Sequence, residues 1–173
     1  MAYYYFAATL PRVTFDGPNA IDVERFAEMC TGRLADVDME AVTAIKNGSE
    51  DKSGNSALSK WMRSENRLRF SIAKIRATRL KKDFAEIARE SNEHDPELDK
   101  EVIEAYSRHT PLEREIAFDR IRWRFCEELH GIDSFSAAFV ISYALKLKIA
   151  DRWQRMNSKT GNATLEKAIS ERE

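Results

Sequence analysis

Few residues in this 173-residue chain have the type and spacing for chemistry, and the histidines are the first to weigh. His94, His109 and His130 lie at or near expected helix ends, where an imidazolium favours the C-terminal dipole or faces solvent. A carboxylate-bridged metal site in a helical bundle needs two Glu-x-x-His motifs, and the chain has only Glu127-Glu128-Leu129-His130. Cys30 and Cys126 lack metal-ligand spacing and fall inside helical patterns, so they read as buried free thiols. The sequence has no phosphate-binding glycine loop, no Gly-x-Ser-x-Gly elbow and no His-Glu-x-x-His pair. It is read as a non-enzyme, with no catalytic residue, cofactor or metal.

Charge is the stronger signal. The net charge of −1 hides a run in which Lys60, Arg63, Arg67, Arg69, Lys74, Arg76, Arg79, Lys81 and Lys82 face one acid, Glu65. Asp83–Glu104 reverses the sign, with Arg89 and Lys100 as its only bases. One end of the surface is expected to be positive and the other negative. Trp61 and Phe70 among the cations would let this helix follow a nucleic-acid backbone. The helical spacing of its apolar residues, and the acidic stretch beside it that can compensate the cations, weigh against nucleic acid; the same positive surface would suit an acidic protein partner, with the charges setting orientation and encounter rate. Arg63, Arg67, Lys74, Arg76, Arg79, Lys81 and Lys82 are the candidate docking residues. Asp119 can reach Arg122 three residues on, as an orienting salt bridge.

The elements that carry these residues are punctuated by only six glycines and four prolines. The tyrosine run at Tyr3–Leu10 suits helix or strand. Periodicity predicts helices at about Asp22–Thr31, ended by Gly32, and at about Asp38–Lys46. The polar KNGSEDKSGN at 46–55 reads as a mobile loop. Apolar residues from Leu58 to Ile87 recur at three- and four-residue steps, so one helix over 56–89 would reach roughly 50 Å if unbroken. Asp95-Pro96 caps a helix to Ser107, and Thr110-Pro111-Leu112-Glu113 is a capping box that opens another, stopped by Gly131. The last helix is expected from Asp133 or Ser134 to about Asn157, with Phe135, Phe139, Tyr143, Leu147 and Ala150 on one face.

These elements make an all-α, antiparallel bundle of six or seven helices, in which short loops favour antiparallel neighbours. With 43% apolar residues the chain can form one domain, or two small lobes joined near 46–55, without staples. Trp123, Phe125, Phe139, Tyr143, Leu147 and Trp153 are the expected core. MAYYYFAATLP lacks the basic start of a signal peptide, and no apolar run approaches the roughly twenty residues that span a bilayer. A cytoplasmic location is expected.

Three blocks occur in order: Tyr3-Tyr4-Tyr5-Phe6-Ala7-Ala8-Thr9-Leu10-Pro11, Leu112-Glu113-Arg114-Glu115 with Asp119-Arg120-Ile121-Arg122-Trp123, and Tyr143 to Trp153 followed by Gly161. Together they resemble a bacterial family encoded among V/A-type ATPase subunits and similar to the C subunit of the rotary ATPase, called d in eukaryotes. The resemblance implies a non-catalytic helical socket at the central stalk. Its partners would be the rotor shaft and the rotor-ring subunits, and it would meet the membrane only indirectly, through the ring. Socket components of this kind are considerably longer, which leaves the chain a full socket or part of one. The competing reading is a soluble helical adaptor or nucleic-acid-binding protein that uses the basic helix at 60–82.

Overall fold

A computed structural model of the chain describes residues 2–49, 53–81 and 95–156. Its helices are α1 (Tyr4–Ala8), α2 (Val23–Cys30), α3 (Asp36–Asn47), α4 (Ser56–Arg79), α5 (Pro96–Ser107), α6 (Pro111–His130) and α7 (Ala137–Arg155). The all-α bundle is as expected, and among the described residues the only β pairing is an isolated bridge between Ala2 and Ser136. None of these helices is long and apolar enough to cross a membrane.

Local side chains set most of the helix starts. Asp22 accepts from the Arg25 N–H, Asp95 from those of Glu97 and Leu98, and Thr110 and Glu113 complete the reciprocal capping box. One cap comes from far away: the Asp151 carboxylate on α7 accepts from the Val23 N–H at 2.8 Å, satisfying a second donor at the start of α2. Burial raises the Asp151 carboxyl above the usual aspartate value, opposed by that N–H.

Two boundaries differ from the sequence reading, and one open choice is settled. The long basic helix does not run unbroken toward Arg89: α4 ends at Arg79, and Lys81 adopts the left-handed region at φ 52°. Arg76 and Arg79 lie in its last turn, where cations favour the negative end of the dipole. Residues 82–89 and Lys82 lie outside the described part, as do Gly161 and His94. The last helix starts at Ala137 rather than at Asp133 or Ser134, because Asp133 and Ser136 form local turns. Asp133 accepts from the Phe135 N–H at 2.9 Å, and Ser136 caps by accepting from the Phe139 N–H. Phe135 is therefore not on the core face; it is 39% exposed, with its ring 5.1 Å from that of Tyr4. The open choice at Tyr3–Leu10 resolves as the short helix α1, tied down when the Tyr3 N–H donates to the Phe135 carbonyl at 2.6 Å.

The expected mobile loop has a fixed end. Asn55 is buried, caps α4 by accepting from the Ala57 and Leu58 N–H groups, and donates to Asp38 at 2.7 Å. The Tyr3 hydroxyl donates to the other Asp38 oxygen and accepts from the Ala35 N–H at 3.1 Å. This buried knot locks the N-terminus and the starts of α3 and α4 together.

Two apolar clusters result. One gathers α1, α2, α3, the first turn of α4, Cys126 of α6 and most of α7; the other packs Leu68 and Ile72 of α4 against α5 and the middle of α6. Trp61 packs against both, and α4 and α6 run through both. Among the expected core residues, Phe125, Tyr143 and Leu147 are buried, whereas Trp123, Phe139 and Trp153 are half-buried against the first cluster. Phe139 sits in the first turn of α7 with its ring edge to His130, at the rim of that cluster. Helices α5, α6 and α7 are antiparallel in turn, as short loops predict: Arg124 reaches Glu101, and Trp153 reaches Asp119. In contrast α4 and α5 run the same way, since the chain re-enters with Asp95 beside Arg67 and ends α5 with Tyr106 beside Arg76.

Cys30 and Cys126 are free, fully buried thiols, and burial pushes both up to about 12. At pH 8 that leaves about one thiolate in ten thousand. A disulfide reagent at pH 8 should label neither cysteine in the native protein and both in urea; rapid labelling of the native protein would contradict this burial. The Gly131 stop is equally testable. Its φ of 56° and ψ of −122° suit glycine, while an added Cβ meets nothing within 4 Å. Gly131→Ala should therefore cost about 1–3 kcal/mol through backbone strain alone, and an unchanged melting temperature would count against that conformation.

Candidate docking surface

The seven candidate cations do not form one surface. Arg63 is exposed on α4. Arg67 pairs with Asp95 at 3.8 Å and Lys74 with Asp99 at 2.7 Å, so the second half of the acidic stretch neutralises this part of the helix. Arg76 donates from Nε to the Tyr106 hydroxyl at 2.6 Å, and the Arg79 guanidinium lies over the Tyr106 ring, 4.8 Å from its centre. Lys81 is exposed in the turn after α4. Helix α4 therefore keeps its positive field mainly at two places, around Arg63 and at its C-terminal end.

At that end the fold adds a residue the sequence reading missed. Arg114, in the first turns of α6, lines a hollow of about 390 Å³ together with Arg76 and Arg79. Tyr106 and Phe118 form its inner wall with rings edge to face at 5.5 Å, and Leu80 stands at the rim, 66% exposed. Only the capping box hinted that Arg114 stands at a helix start; nothing local tied it to α4.

Behind this surface lies a second feature absent from the sequence reading beyond its Asp119–Arg122 pair. That pair is present at 2.7 Å, and it belongs to a network. Glu65, 5% exposed, accepts from Arg122 Nε at 2.8 Å and Nη2 at 3.1 Å, and from Arg69 Nε at 2.8 Å. Asp119, 1% exposed, also accepts from Arg152 at 3.2 Å and from the Trp153 indole at 2.9 Å, and Arg152 reaches Glu115 at 3.0 Å. Three carboxylates and three guanidinium groups thus join α4, α6 and α7. Burial lowers the Arg122 pKa, but hydrogen bonds and charge from Glu65 and Asp119 outweigh it, leaving a net upward shift. The signal in the sequence was the position of Glu65, the lone acid of a basic run, at helical spacing from Trp61, Leu68 and Ile72 on the apolar stripe.

Both buried carboxylates of the network, Glu65 and Asp119, accept from guanidinium or indole donors, and burial keeps the two thiols protonated. Glu127, the carboxylate of the Glu-x-x-His motif, accepts from Trp123 at 3.1 Å and Lys146 at 3.2 Å. His130 is half-buried against Phe139, and burial lowers its pKa; His109 is exposed. Among the described residues no group of three or more His, Cys, Asp or Glu side chains could hold a metal ion.

Neither curated proteins nor solved structures yield a match to the chain. A family profile matches residues 48–172, which include α4 to α7, the ion network and the arginine hollow. The chain belongs to the family described as protein of unknown function (DUF2764).

Proposed function

We propose that this protein is a non-catalytic central-stalk component of a V/A-type rotary ATPase, similar to the C or d socket, that couples the rotor shaft to the membrane ring. The resemblance of its N-terminal and C-terminal blocks to that family motivates the reading. The observation that carries it is mechanical: the ion network fastens three helices of 24, 20 and 19 residues across their shared interior. At 1.5 Å per residue, α4 alone is a rod of about 36 Å. Apolar ridges packed in grooves can slip by a turn, whereas directional charge-assisted bonds fix one register. A part that passes torque needs that fixed register, together with a charged surface that sets its docking orientation. In this role the protein sits at the cytoplasmic face and meets the bilayer only through the ring.

The test is co-purification of the full chain with the shaft and rotor-ring subunits, alongside an ATPase assay of the pure chain. Association with the shaft or the ring and no ATP turnover are expected. Turnover that a point substitution abolishes would defeat the reading, and so would failure to associate with any rotary component in an organism that has them.

A further inference from the structure

We infer that the hollow bounded by Arg76, Arg79 and Arg114 is a recognition cleft for an acidic segment of a partner protein in which carboxylates flank an apolar side chain. The inference rests on α4 being a protein-docking face, but not on the partner being part of a rotary ATPase.

The charge at this place is unbalanced among the described residues. Among the described residues no carboxylate pairs with any of the three arginines. Glu115, the one acid among the described residues that lines the hollow, is bonded to Arg152 at 3.0 Å. Nor are the arginines loose. Arg76 is tethered to the Tyr106 hydroxyl, Arg79 to the Tyr106 ring, and Arg114 donates from Nε to the Arg108 carbonyl at 2.9 Å. A guanidinium has five donors in a fixed fork, so one held this way still has N–H groups to offer a carboxylate. Holding three such groups in advance reduces the ordering cost that a ligand would otherwise meet.

The wall decides the rest of the ligand. Exposed Leu80 and Pro111, backed by Tyr106 and Phe118, give the arginines an apolar neighbour, and about 390 Å³ lies at the low end of the roughly 300–1,000 Å³ of ligand pockets. A leucine-sized side chain between two carboxylates fits both features. Nucleic acid fits neither: Tyr106 and Phe118 are only 8% and 3% exposed, so no ring face is open for a base to stack on. The electropositive track along α4 that a phosphate backbone would follow is interrupted where Asp95 and Asp99 meet Arg67 and Lys74.

The experiment is fluorescence anisotropy of the full chain with a labelled twelve-residue peptide of glutamate and leucine. Saturable binding is expected, weakened at least about tenfold in the triple variant Arg76→Gln, Arg79→Gln, Arg114→Gln and within about twofold of wild type in Arg63→Gln. Circular dichroism and melting confirm that each variant is folded. An equal loss in Arg63→Gln would make the basic surface diffuse and overturn the cleft. So would equal binding of a glutamate–glycine peptide of the same charge, since the apolar wall would then be idle. Binding of an RNA oligonucleotide, but not the peptide, that the triple variant abolishes would hand the site to nucleic acid. Peptide binding only after Asp83, Glu86, Glu90 and Glu93 are changed to glutamine would show that the chain's own acidic stretch fills the cleft, and no peptide binding in any form would also overturn it. Co-purification keeps the two readings apart: a peptide-binding protein that captures no rotary component defeats the stalk assignment and leaves the cleft, whereas a protein that captures the rotary components but binds no peptide defeats the cleft alone.

Discussion

Replacing Asp119 by alanine should destabilise the protein by about 3–5 kcal/mol, the range found when one partner of a buried ion pair is removed. The Asp119 side chain is 2% exposed and receives Arg122, Arg152 and Trp153. Its loss leaves Arg122, itself 17% exposed, with Glu65 as sole counterion, and strands the half-buried indole donor. The exposed pair one residue along supplies the control. Arg120 and Asp16 are bonded at 3.0 Å with side chains 57% and 70% exposed, so Arg120→Ala should fall within about 0.5 kcal/mol of wild type. Urea unfolding of the two variants decides the matter: an Asp119→Ala loss below about 1 kcal/mol would mean that the network is a set of solvated pairs. Loosening of α4 against α6 and α7 would also weaken the mechanical coupling on which the stalk proposal depends.

Phe26→Ala should cost a similar amount, about 3–5 kcal/mol, by a different mechanism. Phe26 is fully buried, with ring centres 4.9 Å from Tyr143 and 6.1 Å from Phe6. It therefore joins α1 and α2 to α7, and α1 and α2 precede the residues that the family profile matches. Truncation leaves a cavity between aromatic walls that α1, only five residues long, can close in part by shifting. A drop in the urea midpoint with an unchanged slope is the expected signature. A cost under about 1 kcal/mol would show that α1 and α2 can settle onto α7 without Phe26.

Helix identity and most helix ends were legible because they rest on interactions between near neighbours. The Asp22, Asp95 and Thr110 caps act three residues ahead, and Gly131 answers a local backbone demand. The failures at helix ends are also local. At Asp133–Ser136 two short polar side chains competed with the helix for backbone groups, and periodicity, which counts only apolar positions, was blind to them. That carried Phe135 out of the core.

The site was less legible. The sequence by itself determined that α4 is strongly basic, that Asp119 meets Arg122 on one helix, and that Glu65 shares a stripe with Trp61 and Leu68. Only the tertiary structure decided that Glu65 meets Arg122, 57 positions away, that Asp151 caps α2 from 128 positions away, and that Asp95 and Asp99 neutralise part of the basic run while Arg114 reinforces its end. The physical reason is one of range: a cap or a helical stripe is set by backbone geometry within a turn, but the pairing of charges on different helices depends on the direction in which each helix packs. Here that direction included a parallel pairing of α4 with α5, which short-loop reasoning did not favour, so the same cations could face solvent, an acid or one another until the core had set the register.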